Sequence, residues 1–266
     1  MHSKSLSIVL PTINEAENLK ELIPALFTTI SPFVENLEVI VVDDGSTDNT
    51  RELLDLLSGQ YSKIVGIFRQ PTEKSLPNSI QAGINEASGE IVAWMDADGS
   101  MTAEVLLQLL NTWNASSNSQ NSVAIASRFV KGGSVKGATR VGTLGFLQSA
   151  RNLQNTEDSF LAVVLSWSLN RALFLVLGKC CRDATSGFLL GPKSLITQHQ
   201  LRGVYGDYFP RLMFDLHKSG KEIIEVPYKI LVRKQGISKT GSNTRQVLRS
   251  GLPYLSAFLE PFKRNQ

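Results

Sequence analysis

The sequence predicts an α/β protein with a mostly parallel sheet flanked by helices. Three observations predict it. Short apolar runs, Leu6–Leu10, Leu37–Val42 and Ile91–Met95, recur with helical patterns between them. Each run stops at a turn rich in polar or acidic residues: Pro11-Thr12, Asp43-Asp44-Gly45-Ser46 and Asp96-Ala97-Asp98-Gly99. Finally, 266 residues with 42% hydrophobic and 19% charged content suffice for a well-buried domain, which excludes a disordered, collagenous or disulfide-stapled chain.

Taken in order, Leu6–Leu10 is a buried strand, and Asn14-Glu15-Ala16-Glu17 opens a helix running to about Ile30, its first-turn acids suiting the helix dipole. Leu37–Val42 is the second strand, and Thr47-Asp48 starts a helix through Leu57. Lys63–Arg69 is the third strand. The helix Leu76–Ala87 is expected to close with Gly89 in the left-handed position after its last turn. Ile91–Met95 is the fourth strand, Thr102–Trp113 a helix, Asn114–Ser122 a loop and Val123–Ala126 a fifth strand. Alternation at this spacing implies right-handed crossovers and a parallel sheet, with ligands gathered at the carboxyl ends of its strands. Beyond Arg128 the pattern weakens. Lys131–Gly145 is Gly-rich and basic, 146–178 reads as helical and apolar, and Ile223–Val232 as one or two late strands around Pro227.

Charge is separated along the chain. Residues 1–126 carry six Lys/Arg against sixteen Asp/Glu, residues 127–182 eight against two, and residues 226–266 eight against one. The net charge of +3 therefore hides an acidic half and two basic stretches, which predicts an anionic partner on the basic side. The Met1–Leu6 start leaves no room for a secretory apolar core before Pro11, so a cytoplasmic location is expected. The only cysteines, Cys180 and Cys181, are adjacent and fit neither a disulfide framework nor a zinc site; His2, His199 and His217 are scattered. The apolar stretch Phe160–Gly178 holds Asn170 and Arg171 near its centre, so it reads as a helix at an interface or within the protein rather than a membrane span.

Two carboxylates one residue apart on the turn after a strand, Asp96 and Asp98, present hard oxygens that suit Mg²⁺ or Mn²⁺ and, through the metal, a diphosphate. Such a pair is also an ordinary turn or helix cap. The second acidic turn, Asp43-Asp44-Gly45-Ser46, favours the chemical reading, since an acid there can accept hydrogen bonds from a ribose or a base edge.

Pro11-Thr12-Ile13-Asn14-Glu15, Val42-Asp43-Asp44-Gly45-Ser46-Thr47-Asp48, Ala87-Ser88-Gly89 and Asp96-Ala97-Asp98, in this order, resemble the signature of inverting nucleotide-sugar glycosyltransferases of family 2 with the GT-A fold. Asp183-Ala184-Thr185-Ser186-Gly187-Phe188, Val226-Pro227-Tyr228 and Arg233-x-x-Gly236-x-Ser238-Lys239 narrow the resemblance to dolichol-phosphate mannose synthases and polyprenyl-phosphate glycosyltransferases. Ile13 stands where relatives carry Tyr, Leu189 where Arg follows Ser-Gly-Phe, and Pro77 in a stretch that is usually Gly-rich. The Gln-x-x-Arg-Trp motif of processive polysaccharide synthases is absent, which points to transfer of a single sugar.

The resemblance implies roles. Pro11, Ile13, Glu15, Val42 and Asp44 would hold the nucleoside, and Asp96, Ala97 and Asp98 the sugar nucleotide. Asp98 and Ser100 would bind Mg²⁺ or Mn²⁺, and Arg128, Arg233 and Lys239 the donor's phosphates. Asp96, Asp98 and Arg128 are the expected catalytic residues, with Arg128 and Arg140 also gripping the acceptor phosphate. The expected donor is GDP-mannose or UDP-glucose and the acceptor a polyprenyl or dolichyl phosphate. A phosphate monoester, with its second pKa near ~6, is already ionised at neutral pH and needs cations rather than a base. A hydroxyl acceptor would instead need a carboxylate base, for which Asp183 and Asp207 are the candidates. A third alternative is a catalytically silent protein that binds nucleotide sugar at a membrane surface. The expected organisation is a glycosyltransferase domain over 1–241 and a basic amphipathic tail over 242–266. The tail and the 160–178 helix are expected either at the cytoplasmic face of a membrane or packed across the sheet, with an anchoring partner subunit as a further possibility and no nucleic acid.

Overall fold

The computed structural model describes residues 5–61, 63–70, 74–134 and 160–229, together with Tyr254. Among these residues seven strands form one sheet: β1 (Leu6–Thr12), β2 (Leu37–Asp43), β3 (Ile64–Phe68), β4 (Ile91–Trp94), β5 (Ser122–Ser127), β6 (Leu189–Pro192) and β7 (Glu222–Pro227). Their order is β3-β2-β1-β4-β6-β5-β7. β1 to β4 are mutually parallel, with Thr12 opposite Asp43 and Val9 opposite Trp94. β6 runs antiparallel to both β4 and β5, and β7 lies parallel to β5 at the edge, where Pro227 needs no ladder donor.

The helices are α1 (Ala16–Ile30), α2 (Thr50–Ser58), α3 (Leu76–Glu86), α4 (Ala103–Ala115), α5 (Phe160–Val176), the single turn α6 (Lys193–Ile196) and α7 (Tyr208–Lys218). Strand side chains alternate between two cores. Leu6, Ile8 and Leu10 of β1 with Val39 and Val41 of β2 face α1, α2 and α4. Val9, Ile40, Val42, Val92 and Trp94 face α3, α5, α6 and α7. With both faces covered, β1, β2, β4 and β5 are almost wholly buried, which is why they read as continuous apolar runs.

The expected α/β architecture is therefore the one observed, with local differences. α1 starts two residues later than expected because Asn14 has φ of 55°, a left-handed geometry that a helix excludes. α2 starts at Thr50 rather than Thr47, since Asp48 stays outside to accept hydrogen bonds from the Thr50 hydroxyl (2.6 Å) and the Ala16 N–H (3.1 Å). Gly89 does not take a left-handed conformation after α3. A Cβ there would lie 2.7 Å from the Ser7 nitrogen, so close approach to β1 is what requires glycine. β6, α6 and α7 were not anticipated. The C-terminal tail beyond Tyr254 and most of the basic stretch after β5 lie outside the described residues.

Candidate active site

The carboxyl ends of β1, β2 and β4 lie side by side, so the turns that follow them share one edge of the sheet. Hydrogen bonds fasten the first two turns together. Asn14 donates its N–H to the Ser46 hydroxyl (2.8 Å), and its Oδ1 accepts the Thr47 N–H (2.7 Å). The Asp44 N–H meets the Thr12 carbonyl at 3.1 Å. Asp43 is turned back into its own loop, accepting from the Ser46 N–H (2.8 Å) and hydroxyl (2.6 Å). Gly45, with φ of 80°, makes this reversal possible.

Asp44 engages α3 and Arg69 rather than its own loop. It is 3% exposed and accepts a short hydrogen bond from the Ser79 hydroxyl on α3. Arg69 Nη1 lies 2.9 Å from Asp44 Oδ1, but that group aims its hydrogen bond at Ser79 Oγ, also at 2.9 Å. Oδ1 therefore holds an ion pair without an aligned donor, among the described residues. It retains capacity to accept from a ribose hydroxyl or a base N–H.

At the end of β4, Asp98 and Ser100 are buried and Asp96 half-buried. Asp98 Oδ1 accepts the Ser100 N–H at 2.9 Å. Among the described residues no three His, Cys, Asp or Glu side chains converge as a self-sufficient metal cage. Two carboxylates and a hydroxyl are nonetheless the hard donors that Mg²⁺ and Mn²⁺ take when substrate phosphates and water complete their shell. Glu15 joins this turn to the first: its Oε2 accepts from Asn18 Nδ2 at 2.6 Å, and Asn18 lies against Gly99.

The fourth component was only half legible. Arg128 follows β5, and its partner Asp183 precedes β6, which brings both to the same edge of the sheet. The pair is bidentate, Nε to Oδ2 at 2.8 Å and Nη2 to Oδ1 at 2.6 Å, while the Arg128 N–H also donates to Oδ2 at 2.8 Å. The side chains are 14% and 0% exposed. Burial works against the Arg128 charge, but the adjacent Asp183 carboxylate outweighs it and raises the guanidinium pKa above its ordinary value. Nη2 also reaches Thr185 Oγ1 at 2.8 Å, whereas Nη1 makes no hydrogen bond among the described residues.

Asp207 is likewise engaged. Its Oδ1 accepts the N–H groups of Val204 and Tyr205, each at 3.0 Å, and its Oδ2 meets Arg211 Nε at 3.3 Å. Both carboxylates considered as bases for a hydroxyl acceptor are thus held in structural roles. Next to Asp207, the Tyr208 hydroxyl accepts from Trp94 Nε1 at 3.0 Å and anchors α7 to β4. Pro11, Ile13, Val42 and Ala97 stand on the same strand ends and turns as the acids. Arg140, Arg233 and Lys239 lie outside the described residues.

The sequence model described as "Glycosyl transferase family 2" matches residues 7–175. The chain is 29% identical over 252 residues to a dolichol-phosphate mannosyltransferase of Pyrococcus furiosus, covering 90% of this chain and 60% of that protein. It therefore spans about three fifths of that relative's length. It is 27% identical over 248 residues to a polyprenol monophosphomannose synthase of Mycolicibacterium smegmatis, covering 91% of this chain and 83% of that one. Among solved structures, glucosyl-3-phosphoglycerate synthase from Mycobacterium tuberculosis in complex with UDP superposes with a TM-score of 0.64 at 17% identity, over 97% of this chain and 79% of that chain. The same enzyme in complex with Mn²⁺, UDP and phosphoglyceric acid gives a TM-score of 0.65 at 16% identity. At such identity the likeness bears on the fold.

Proposed function

The chain belongs to glycosyl transferase family 2, and from that premise we propose that it moves one sugar from a nucleotide-sugar donor onto a polyprenyl phosphate. The observation that carries the acceptor is the engagement of Asp183 by Arg128 and of Asp207 by Arg211 and two backbone N–H groups. A hydroxyl nucleophile needs a carboxylate free to take its proton, and these two are committed. An ionised phosphate needs only to be positioned. Arg128, buried and fixed by Asp183, presents Nη1 to such an oxyanion without loss of side-chain entropy on binding. The names of the two relatives, a dolichol-phosphate mannosyltransferase and a polyprenol monophosphomannose synthase, support the same acceptor class and favour mannose over glucose as the sugar transferred.

On the donor side, Asp44 accepts from the nucleoside, and Asp96, Asp98 and Ser100 are the residues that would hold Mg²⁺ or Mn²⁺. When bound, that cation supplies charge neutralisation to the departing nucleoside diphosphate. The strand-end loops keep donor and acceptor on one edge of the sheet, so the phosphate oxygen can attack the anomeric carbon from the face opposite the leaving group. No helix among the described residues is long and apolar enough to cross a membrane. α5 instead leaves Trp167 50% and Leu175 57% exposed, a surface along which a prenyl chain at the membrane can lie.

The test is direct. Purified protein is incubated with Mn²⁺, radiolabelled GDP-mannose or UDP-glucose, and farnesyl or undecaprenyl phosphate, and the lipid phase is counted. Label in the lipid with one donor supports the reading; label appearing only on hydroxyl acceptors overturns it.

A further inference from the structure

We propose that Asn170 is a positioning residue that couples α5 to Arg128, so that the helix carrying the exposed Trp167 and Leu175 also sets the cation meant for the acceptor phosphate. The inference rests on the polyprenyl-phosphate reading. Asn170 lies in the middle of a mostly apolar helix, where asparagine is a poor helix former, and it is 2% exposed. Its amide nitrogen makes two donations: to the Ser166 carbonyl one turn back (3.0 Å) and to Thr185 Oγ1 (2.7 Å). Thr185 Oγ1 also receives Arg128 Nη2 at 2.8 Å and lies 3.5 Å from Asp183 Oδ1. With donors on both lone pairs, the hydroxyl proton is left to point at Asp183. The result is a continuous chain from helix to amide, hydroxyl, guanidinium and carboxylate.

Leu173 of the same helix and Leu177 just after it belong to the apolar core, and a leucine at 170 would bring no polar atom of its own to satisfy. Asn170 instead keeps a buried Oδ1 without a hydrogen-bond partner among the described residues, a penalty that packing alone does not explain. Trp167, Ser168, Arg171 and Leu175 are exposed along α5, whereas Asn170 and Leu173 are buried. A prenyl chain seated on the exposed side therefore bears on the same rigid element that holds Thr185 and, through it, Nη2 of Arg128. The lipid tail and the phosphate head are sensed by one connected set of bonds.

The test compares Asn170→Leu, Thr185→Val and the double variant with the wild-type protein. Binding of farnesyl phosphate is measured by calorimetry, the KM for each substrate by transfer assay, and Tm by scanning fluorimetry. Loss of one hydrogen bond in a charged network should weaken farnesyl phosphate binding about tenfold in either single variant. The KM for the donor should stay within about twofold, and the double variant should be no worse than the singles. Equal wild-type and Asn170→Leu affinities, additive losses in the double variant, or parallel changes in both KM values with a lower Tm would each overturn the coupling. If the wild-type protein itself binds no farnesyl phosphate, the acceptor reading falls and takes this inference with it; the coupling alone falls when the wild type binds and the variants bind equally well.

Discussion

Replacing Asp183 by Asn keeps the shape of the side chain that holds Arg128 and removes its charge. The structure sets the scale of the effect. The pair is bidentate at 2.8 and 2.6 Å, with the carboxylate side chain 0% and the guanidinium 14% exposed, so solvent cannot replace the lost partner. One of the two oxygens becomes an amide that faces guanidinium N–H groups, donor against donor. Removing one member of a buried pair costs about 3–5 kcal/mol. For a chain of this size each kcal/mol lowers Tm by roughly 2–4 °C, so Asp183→Asn should lower it by about 10 °C. Urea titration should show the midpoint falling with an unchanged slope, since the surface exposed on unfolding is the same. The double variant Arg128→Met with Asp183→Leu removes both charges. It should recover most of the loss and fall short of wild type by about 1–2 kcal/mol, because the residue-128 N–H loses its acceptor. Recovery of stability without recovery of transfer would assign Arg128 to phosphate binding as well as to the fold. An Asp183→Asn protein within 1 kcal/mol of wild type would refute the reasoning, since a fully desolvated pair cannot be that weak when broken.

Three further outcomes are expected. Asp98→Ala should abolish transfer while leaving Tm within a few degrees, and Mn²⁺ should no longer strengthen nucleotide binding in calorimetry. Stability should fall steeply in alkali. Tyr208 and Tyr228 are 2% and 3% exposed, and burial, ahead of neighbouring charges, pushes both phenols above the ordinary value of about 10. The unfolded chain then loses these protons first, so stability is intact below pH ~10 and declines above it by roughly 2.7 kcal/mol per pH unit for the two together; urea midpoints across that range measure it. Asn14→Ala should cost about 2–3 kcal/mol, from left-handed strain plus the lost bond to Thr47, whereas Asn14→Gly should cost about 1, because only the bond is lost. Equal losses in thermal denaturation would remove the strain argument.

The parts of the molecule legible in the sequence are those whose physics is local. β1, β2 and β4 are buried on both faces and end in acidic turns, so strand and site residue announce each other within ten positions. β6 gives no such signal. Its four residues, Leu189-Leu190-Gly191-Pro192, contain two turn formers, and only an antiparallel fit between β4 and β5 makes them a strand. α7 carries apolar side chains at 208, 209, 212, 213 and 216, a helical spacing that periodicity alone could have found. Arg128 was singled out for its cation, but its partner Asp183 is 55 positions away, and no spacing rule connects them. Gly89 was read as a helix terminator when it serves a close crossing with Ser7, a contact that exists only after β1 and β4 pair.

The place of β6 in the sheet has a consequence for how the chain is made. Among the described residues β5 pairs only with β6 and β7, and the Lys193 amine that follows β6 reaches back 106 positions to the Ala87 carbonyl. A nascent chain that has delivered residues 7–175 to the exit of the ribosome has emitted the whole segment matched by the family, yet its fifth strand has only α4 to pack against and neither of its strand partners. At synthesis rates of about 5–20 residues per second, the open edge of β4 waits on the order of a second for its antiparallel neighbour. Until then Trp94 and Ile125 have no Leu189 between them, and no strand pairing joins β5 to β4. The four-residue strand is the keystone between β4 and β5, and a fragment cut after residue 175 should accumulate as an aggregation-prone intermediate rather than as a smaller enzyme.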